Sequence, residues 1–168
     1  ESSPENQRQV TLYKMKKGGL DAEFFAVFTG TGERTPDAFE SAYIRAIGLF
    51  DAIQRLPQRY PELVEIATSP VRIHNAGKIA ACIGMENGYP IGNDLTRVKE
   101  FYEKGTRYIT LTHSGHNQIC DSSTPRENEP KEEYRGLSDF GRLVVSEMNR
   151  LGMIIDISHA SKNAALEV

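Results

Sequence analysis

The chain contains 168 residues, of which 39% are hydrophobic, and it carries a formal net charge of −3 at pH 7. This length and composition predict one ordinary globular domain or part of a larger one, and they exclude a disordered chain. The near-balanced charge argues against a nucleic-acid partner, and no segment reaches the ~18 to 20 apolar residues that a membrane helix needs. Two cysteines, Cys82 and Cys120, are too few for a disulfide framework and leave the compartment undetermined.

The first half of the chain pairs a strand with a long helix. The run AEFFAVF predicts a strand at 24–28. Thr35 and Pro36 predict the start of a helix over 37–56, because a capping hydroxyl followed by proline is typical of helix N-termini. Apolar residues then recur at steps of three and four, which indicates one buried helix face. The segment LVEIATSP is compatible with a short strand or an extended link, and VRIHNAG with a helical turn.

The second half repeats the alternation of strand and helix. The predicted strands cover 79–85, 108–112 and 153–158, and the predicted helices cover 94–104 and 138–151. Nearly continuous apolarity predicts that these strands are covered on both faces. About four parallel strands alternating with helices predict an α/β fold with a parallel sheet. The sequence has no GxGxxG motif after a strand and no phosphate-binding GxxxxGK[ST] motif, which argues against nucleotide-binding α/β folds.

Three successive predicted strands each lead into a residue that can bind a metal or carry a proton: Glu86, His113 and His159. Taken singly, Glu86 could be a solvated or salt-bridged residue, and either histidine could be a hydrogen-bonded structural residue. In a parallel barrel, however, the carboxyl ends of the strands are where catalytic groups lie. Their coincidence on consecutive strands therefore predicts one shared site.

Strand alternation predicts which side chains share a face with these residues. If Glu86 points into the barrel, so do the small residues Ala80, Cys82 and Gly84, whereas Ile79, Ala81, Ile83 and Met85 face the helices. The same count puts Ile155 and Ile157 on the side of His159. It directs Asp156 away from that histidine, which favours a structural or supporting hydrogen bond over metal ligation.

The remaining histidines and cysteines are weaker candidates. His74 lies in a polar turn and is expected at the surface. His116 could line a pocket, but its spacing from His113 does not demand a metal. Cys120 lies in a loop without a local sign of activation, and Cys82 is interpreted as a small core residue.

Four sequence blocks together resemble the membrane (renal) dipeptidase family of zinc metallopeptidases. They are KMKKGGLDAEFFAVF, GKIAACIGMENG, GTRYITLTHSGHN and GLSDFGRLVVSEMNRLGMIIDISHAS, which run in order through most of the chain. The resemblance implies a (β/α)8 barrel with two zinc ions at the strand carboxyl ends. It implies that Glu86 bridges both metals and that His159 is a ligand of the second. His113 would not be a ligand but would lie beside the substrate and help to stabilise the tetrahedral intermediate.

Parts of the family's site have no counterpart in the sequence. The first metal of the family is held by a His-x-Asp pair, and none of the four histidines begins such a pair. Another histidine ligand, an arginine and an acidic residue of the family come from later strands. Residues 1–168 are therefore expected to form a single partial barrel domain, strands two to five, without the first strand and the C-terminal half.

The resemblance implies hydrolysis of dipeptides by a metal-bridging hydroxide, with tolerance of D-residues on the carboxyl side in some members. It further implies a homo-oligomer, a dimer, for the intact protein. Because two ligand-bearing blocks are absent, residues 1–168 alone are expected to be inactive. Two alternatives stay open: another barrel amidohydrolase that acts on a non-peptide amide, and an inactive barrel scaffold or binding protein without metals.

Overall fold

A computed structural model describes residues 9–168, and within them five strands alternate with seven α-helices. The strands are β1 (Ala22–Phe28), β2 (Val64–Ile66), β3 (Ile79–Glu86), β4 (Thr106–Thr110) and β5 (Ile154–Asp156). The helices are α1 (Leu12–Gly18), α2 (Pro36–Gln54), α3 (Leu56–Arg59), α4 (Pro70–His74), α5 (Thr96–Glu103), α6 (Asp139–Leu151) and α7 (Lys162–Glu167). The four predicted strands and three predicted long helices are confirmed, with boundaries shifted by at most two residues. No helix within residues 9–168 is both long and apolar enough to cross a membrane.

All strand pairs run parallel, and the order in the sheet is β1-β3-β4-β5, with β2 pairing the beginning of β3. The pairing of β3 with β4 is parallel, as the barrel prediction requires. Phe28, the last residue of β1, is in register with Glu86, the last residue of β3. The carboxyl ends of the strands therefore meet at one edge of the sheet.

The chain's own capping residues set the ends of the two main helices. The Thr35 hydroxyl accepts a hydrogen bond from the Ala38 amide at the start of α2, and Pro36 occupies the first helical position. Ser138 caps α6 in the same way through the Gly141 amide. Gly152 ends α6 in the left-handed conformation, which glycine adopts without the steric penalty of a side chain. These local signals explain why both helix predictions succeed.

One face of the sheet packs against α2, α5 and α6 and forms the main hydrophobic core. Its fully buried members include Ile83 and Met85 from β3, with Phe50 and Phe101 stacked at a ring-centroid distance of 5.6 Å. Burial of such large side chains contributes roughly 1.5 to 3 kcal/mol each. The helix-facing half of the alternation predicted for β3 is confirmed.

The opposite face of β3 carries the small residues Ala80, Cys82 and Gly84. Ala80 and Cys82 are buried in a separate cluster from the helix-facing core. A Cβ atom on Gly84 would lie 1.9 Å from Cε1 of Tyr108, so the Tyr108 ring occupies the space that a side chain would need. We call this side of the sheet the concave face.

The expectation that the last strand is covered on both faces is wrong. Ile154 is 59% exposed, and β5 is only three residues long. Within residues 9–168, β5 pairs with β4 alone, and no other strand covers its concave side. An apolar run identifies a strand, but its burial depends on neighbours that the run itself does not contain.

The predicted orientation of Ile155 and Asp156 is also wrong. Asp156 is in register with Thr110 on β4, and its carboxylate accepts a hydrogen bond from the Thr110 hydroxyl on the concave face. Ile155 instead packs against the helix-facing core. The strand ends at Asp156, and His159 has a φ angle of 64°. The two-residue alternation of a strand does not apply here, because the residues between Asp156 and His159 are not in an extended conformation.

Three short α-helices were not predicted from the sequence, and one of them, α3, follows α2 directly. α1 lies before the first predicted strand, where its Thr11 cap and left-handed Gly19 are ordinary helix-end signals. α7 begins at a Ser161 cap near the end of the chain. The segment that could be a strand or a link is the short strand β2, and the predicted helical turn is α4.

Candidate metal centre

Glu86, His113 and His159 lie together at the carboxyl ends of β3, β4 and β5. Glu86 is the last residue of β3, and each histidine follows its strand by three residues. Because these strands are parallel neighbours in the sheet, their ends bring the three side chains to one edge. The predicted convergence of the three residues is confirmed.

The three side chains offer ligand atoms within 4.8 Å of one another. Oε1 of Glu86 lies 3.5 Å from Nε2 of His113 and 3.9 Å from Nε2 of His159. The two imidazole rings have centroids 4.1 Å apart. A carboxylate oxygen and two imidazole nitrogens are thus gathered around one small volume.

This donor set fits zinc. Carboxylate oxygen and neutral imidazole nitrogen are ordinary zinc ligands at ~2.0 to 2.2 Å, so two ligands of one tetrahedral ion lie roughly 3.5 Å apart. The distance from Oε1 of Glu86 to Nε2 of His159, the ligand pair that the resemblance implies, is 3.9 Å, which is close to that spacing. The side chains of Glu86, His113 and His159 are 35%, 26% and 38% exposed, which leaves them accessible from the concave face.

Asn87, the residue after the carboxylate, ties the end of β3 to two loops. It is fully buried with a φ angle of 78°. Its amide nitrogen donates to the Thr29 carbonyl and to the Thr31 hydroxyl, both at 2.9 Å. Its side-chain oxygen accepts from the Tyr89 amide and from the Asn117 side chain. Sequence reasoning missed this residue, although asparagine beside a glycine is a signal for a left-handed position.

Aromatic side chains of the concave face surround the cluster. Phe28 meets the His113 ring edge to face at 5.0 Å and is 39% exposed. The Phe24 and Tyr108 rings make a similar edge-to-face contact, with a centroid distance of 5.2 Å, nearer the beginnings of their strands. Burial, followed by the nearby carboxylates of Glu86 and Asp156, raises the pKa of Tyr108. Tyr108 is therefore a neutral phenol at neutral pH, and the site wall is largely apolar.

Asp156 holds the end of β5 on the same face as the cluster. Its carboxylate accepts hydrogen bonds from the Thr110 hydroxyl at 2.6 Å and from the amide and hydroxyl of Ser158. Burial raises the pKa of Asp156, but these hydrogen bonds outweigh burial, and its pKa lies below the ordinary value. The supporting role predicted for Asp156 agrees with these contacts, although the predicted face was wrong.

His116 does not line a pocket. Its side chain is completely buried, with Nδ1 accepting from the Ser122 amide at 2.9 Å and Nε2 lying 2.8 Å from the Pro130 carbonyl oxygen. Because Nδ1 accepts, Nε2 is the ring nitrogen that donates to the Pro130 carbonyl oxygen. His116 is thus a structural residue of the loop after β4, and His74 is exposed as expected.

Neither cysteine has the environment of a nucleophile. Burial, followed by the adjacent Asp121, raises the pKa of Cys120 to about 12, so its thiol is protonated at neutral pH. Cys82 is buried on the concave side of β3, and burial raises its pKa as well. Both cysteines are packing residues.

Several known proteins resemble this chain along nearly its whole length. It is 37% identical to Dipeptidase 3 of Mus musculus over 153 residues, which is 91% of the chain and 30% of that protein. It is 34% identical to Dipeptidase aclJ of Aspergillus oryzae over 161 residues, 91% of the chain and 37% of that protein. The chain thus spans about a third of the length of these curated relatives.

The fold agrees with a solved structure of similar type. The crystal structure of the probable dipeptidase PvdM from Pseudomonas aeruginosa superposes with a TM-score of 0.92 at 28% identity, covering 99% of this chain and 44% of that one. The family model described as Membrane dipeptidase (Peptidase family M19) matches residues 1–168. The chain therefore belongs to the membrane dipeptidase family, peptidase family M19.

Proposed function

We propose that this chain is part of a zinc-dependent dipeptidase and that Glu86, His113 and His159 belong to its active site. The observation that carries the proposal is the gathering of these ligand atoms within 4.8 Å at the carboxyl ends of three parallel strands. Family membership supports the reaction, and the donor set supports the metal. The substrate is proposed to be a short peptide that enters from the concave face.

The proposed domain is a partial barrel that comprises residues 1–168 and lacks a first strand and a C-terminal half. Coverage of 44% of PvdM supports this proposal. So does the exposure of Phe24, Phe28 and Ile154 on the concave face, since a closed barrel fills its interior with side chains. The remaining metal ligands would come from the absent strands, so the isolated chain is expected to be inactive.

Glu86 would bridge two zinc ions, and His159 would be a ligand of the second. When bound, the zinc ions would activate a water molecule and polarise the scissile carbonyl group. Glu86 supplies the only negative charge within the three-residue cluster, which suits a position between two cations. The Asn87 side chain anchors the backbone next to Glu86 to two neighbouring loops.

His113 would orient the substrate and not bind metal. Its ring packs against both the Phe28 ring and the His159 ring. This packing aims Nε2 at the volume beside Glu86. An imidazole N–H held there can donate a hydrogen bond to an oxygen on which negative charge develops during hydrolysis. Removal of such a donor costs about 10²- to 10³-fold in turnover.

The test compares the full-length protein with its Glu86→Gln variant. The protein is stripped of metal, reloaded with zinc and assayed with dipeptides, with zinc content measured in parallel. We expect zinc-dependent cleavage by the wild type and a loss of at least about 100-fold in Glu86→Gln, together with weaker zinc binding. Glu65→Gln on β2 is the matched control, because that carboxylate lies near the amino-terminal end of the sheet.

The same assay separates the alternatives. Cleavage of non-peptide amides without cleavage of dipeptides would identify another amidohydrolase, and no zinc binding would identify a scaffold. Residues 1–168 alone form the inactive control. Light scattering of the full-length protein tests the proposed homodimer.

A further inference from the structure

A short segment of the loop after β4, residues 121–124, lies between the two histidines of the cluster. Its backbone is hydrogen-bonded to the turn that contains His113 and to the turn that contains His159. The Ser123 amide donates to the His159 carbonyl oxygen at 2.8 Å, and the Ser161 amide donates to the Asp121 carbonyl oxygen at 2.8 Å. On the other side, the Gly115 amide donates to the Thr124 carbonyl oxygen at 2.8 Å. We call residues 121–124 the bridging segment.

Ser122 is the centre of this bridging segment. It is 2% exposed, and its hydroxyl donates to the His113 carbonyl oxygen at 2.6 Å. The Ser122 hydroxyl oxygen also lies 3.3 Å from the His159 carbonyl oxygen, and it accepts a hydrogen bond from the Thr124 amide at 3.1 Å. One buried hydroxyl thus contacts the backbone of both histidines.

The His159 backbone needs such support. Its φ angle of 64° places it in the left-handed region, which is uncommon for a residue with a side chain. Ser122 forms an isolated antiparallel bridge with Ala160, the next residue along the chain. The bridging segment therefore stabilises the unusual turn that directs the His159 ring toward Glu86.

The bridging segment is itself anchored by hydrogen bonds of Asp121 and Ser122 to other parts of the loop. The Asp121 carboxylate is fully buried and accepts hydrogen bonds from the amides of Glu133, Tyr134 and Gly136. The Ser122 amide donates to the buried ring of His116. A segment held at both its backbone and its side chains is a rigid spacer between the two histidine turns.

We propose that Ser122 is a positioning residue that sets the spacing of His113 and His159 through their backbone carbonyl groups. Serine suits this position because its side chain is small and its hydroxyl both donates and accepts. An alanine there would leave the His113 carbonyl and the Thr124 amide without this partner. The effect on metal binding rests on the proposed function, whereas the effect on the histidine geometry does not.

The experiment uses the full-length protein with Ser122→Ala, Ser122→Thr and a matched control, Ser138→Ala. Ser138 is also buried, and its hydroxyl likewise donates to a loop carbonyl, that of Gln118, and accepts from one amide, that of Gly141. The measurements are zinc affinity by competition, kcat and KM for a dipeptide, thermal unfolding, and the imidazole NMR signals of the metal-free protein.

We expect Ser122→Ala and Ser138→Ala to lower the unfolding temperature by similar amounts. Only Ser122→Ala should weaken zinc affinity and lower kcat by about 10-fold or more, and Ser122→Thr should recover most of both. In the metal-free protein, Ser122→Ala should shift or broaden the ring signals of His113 and His159, with the exposed His74 unchanged.

Unchanged His113 and His159 signals in Ser122→Ala, or equal changes in Ser138→Ala, would overturn the positioning role. If the wild type neither binds zinc nor cleaves dipeptides, the proposed function fails, and the imidazole signals still decide the role of Ser122. If Ser122→Ala does not fold, Ser122→Cys replaces it, because cysteine is similar in size but a weak donor.

Discussion

β3 and β5 share a sequence pattern, an apolar run that leads to a proposed metal ligand, but they differ in burial and in how the ligand is presented. β3 is eight residues long and buried from residue 79 to residue 85, and its ligand Glu86 is still part of the strand. β5 is three residues long, Ile154 is exposed, and His159 follows in a left-handed turn.

The difference follows from their neighbours. β3 pairs with β1 along its length and with β2 and β4 on its other edge. Within residues 9–168, β5 pairs only with β4. The strand with more pairing partners presents its ligand directly, whereas the other depends on the bridging segment to position its histidine.

Truncation of one isoleucine in β3 and one in β5 tests whether β5 is less buried than β3 in the full-length protein as well. Ile83→Ala should cost about 2 to 5 kcal/mol of unfolding free energy, because it opens a cavity in the main core. If absent strands close the barrel, Ile154→Ala should cost about 2 kcal/mol or more as well. Denaturant unfolding measures both. A cost below ~0.5 kcal/mol for Ile154→Ala would contradict the partial-barrel proposal.

A side chain at Gly84 tests the crowding of the concave face along β3. Gly84→Ala should lower the unfolding free energy by about 1 to 3 kcal/mol, because the new Cβ atom would overlap the Tyr108 ring. The double variant Gly84→Ala/Tyr108→Leu should recover part of the loss. A Gly84→Ala variant as stable as the wild type would show that the ring moves aside freely. Gly48→Ala, on α2 with open space around it, is the control.

Two substitutions of His159 separate its backbone from its ring. Asparagine tolerates the left-handed region and valine does not, so His159→Val should be less stable than His159→Asn by about 1 to 2 kcal/mol. Both variants should lose zinc affinity, since both lack the imidazole. Urea unfolding of the metal-free protein measures the stability difference. Equal stability of the two variants would mean that this turn adapts in solution.

The carboxylate at the end of β5 should give a small dependence of stability on pH. Because the pKa of Asp156 is lower in the folded protein than its ordinary value of about 3.9, the unfolded chain binds more protons near that pH. The Asp156 carboxylate therefore stabilises the folded protein fully above its ordinary pKa, and this contribution is lost as pH falls through its pKa in the folded protein. Thermal unfolding below about pH 4 should therefore be less pH-dependent in Asp156→Asn than in Asp51→Asn, the exposed control on α2.

Local patterns were sufficient for the long elements and for the identity of the cluster. Thr35, Pro36 and Ser138 act within one helical turn, so their signals are complete in the sequence. The alternation of small and large residues in β3 needs only the period of an extended strand. The parallel α/β pattern then places the ends of β3, β4 and β5 at one edge, where Glu86, His113 and His159 meet.

The arrangement around that cluster depends on contacts between distant segments, which no short pattern encodes. The left-handed backbone of His159 is held by Ser122 and Ser123, more than thirty residues earlier. The burial of His116 depends on Pro130 and Ser122, and the exposure of Ile154 depends on what lies beside β5. The sequence by itself thus determined which residues reach the site, because each of them lies at or just after the end of an apolar run, which is a local property. The tertiary structure alone decided how they are held, because hydrogen bonds and burial join residues that are far apart in the chain.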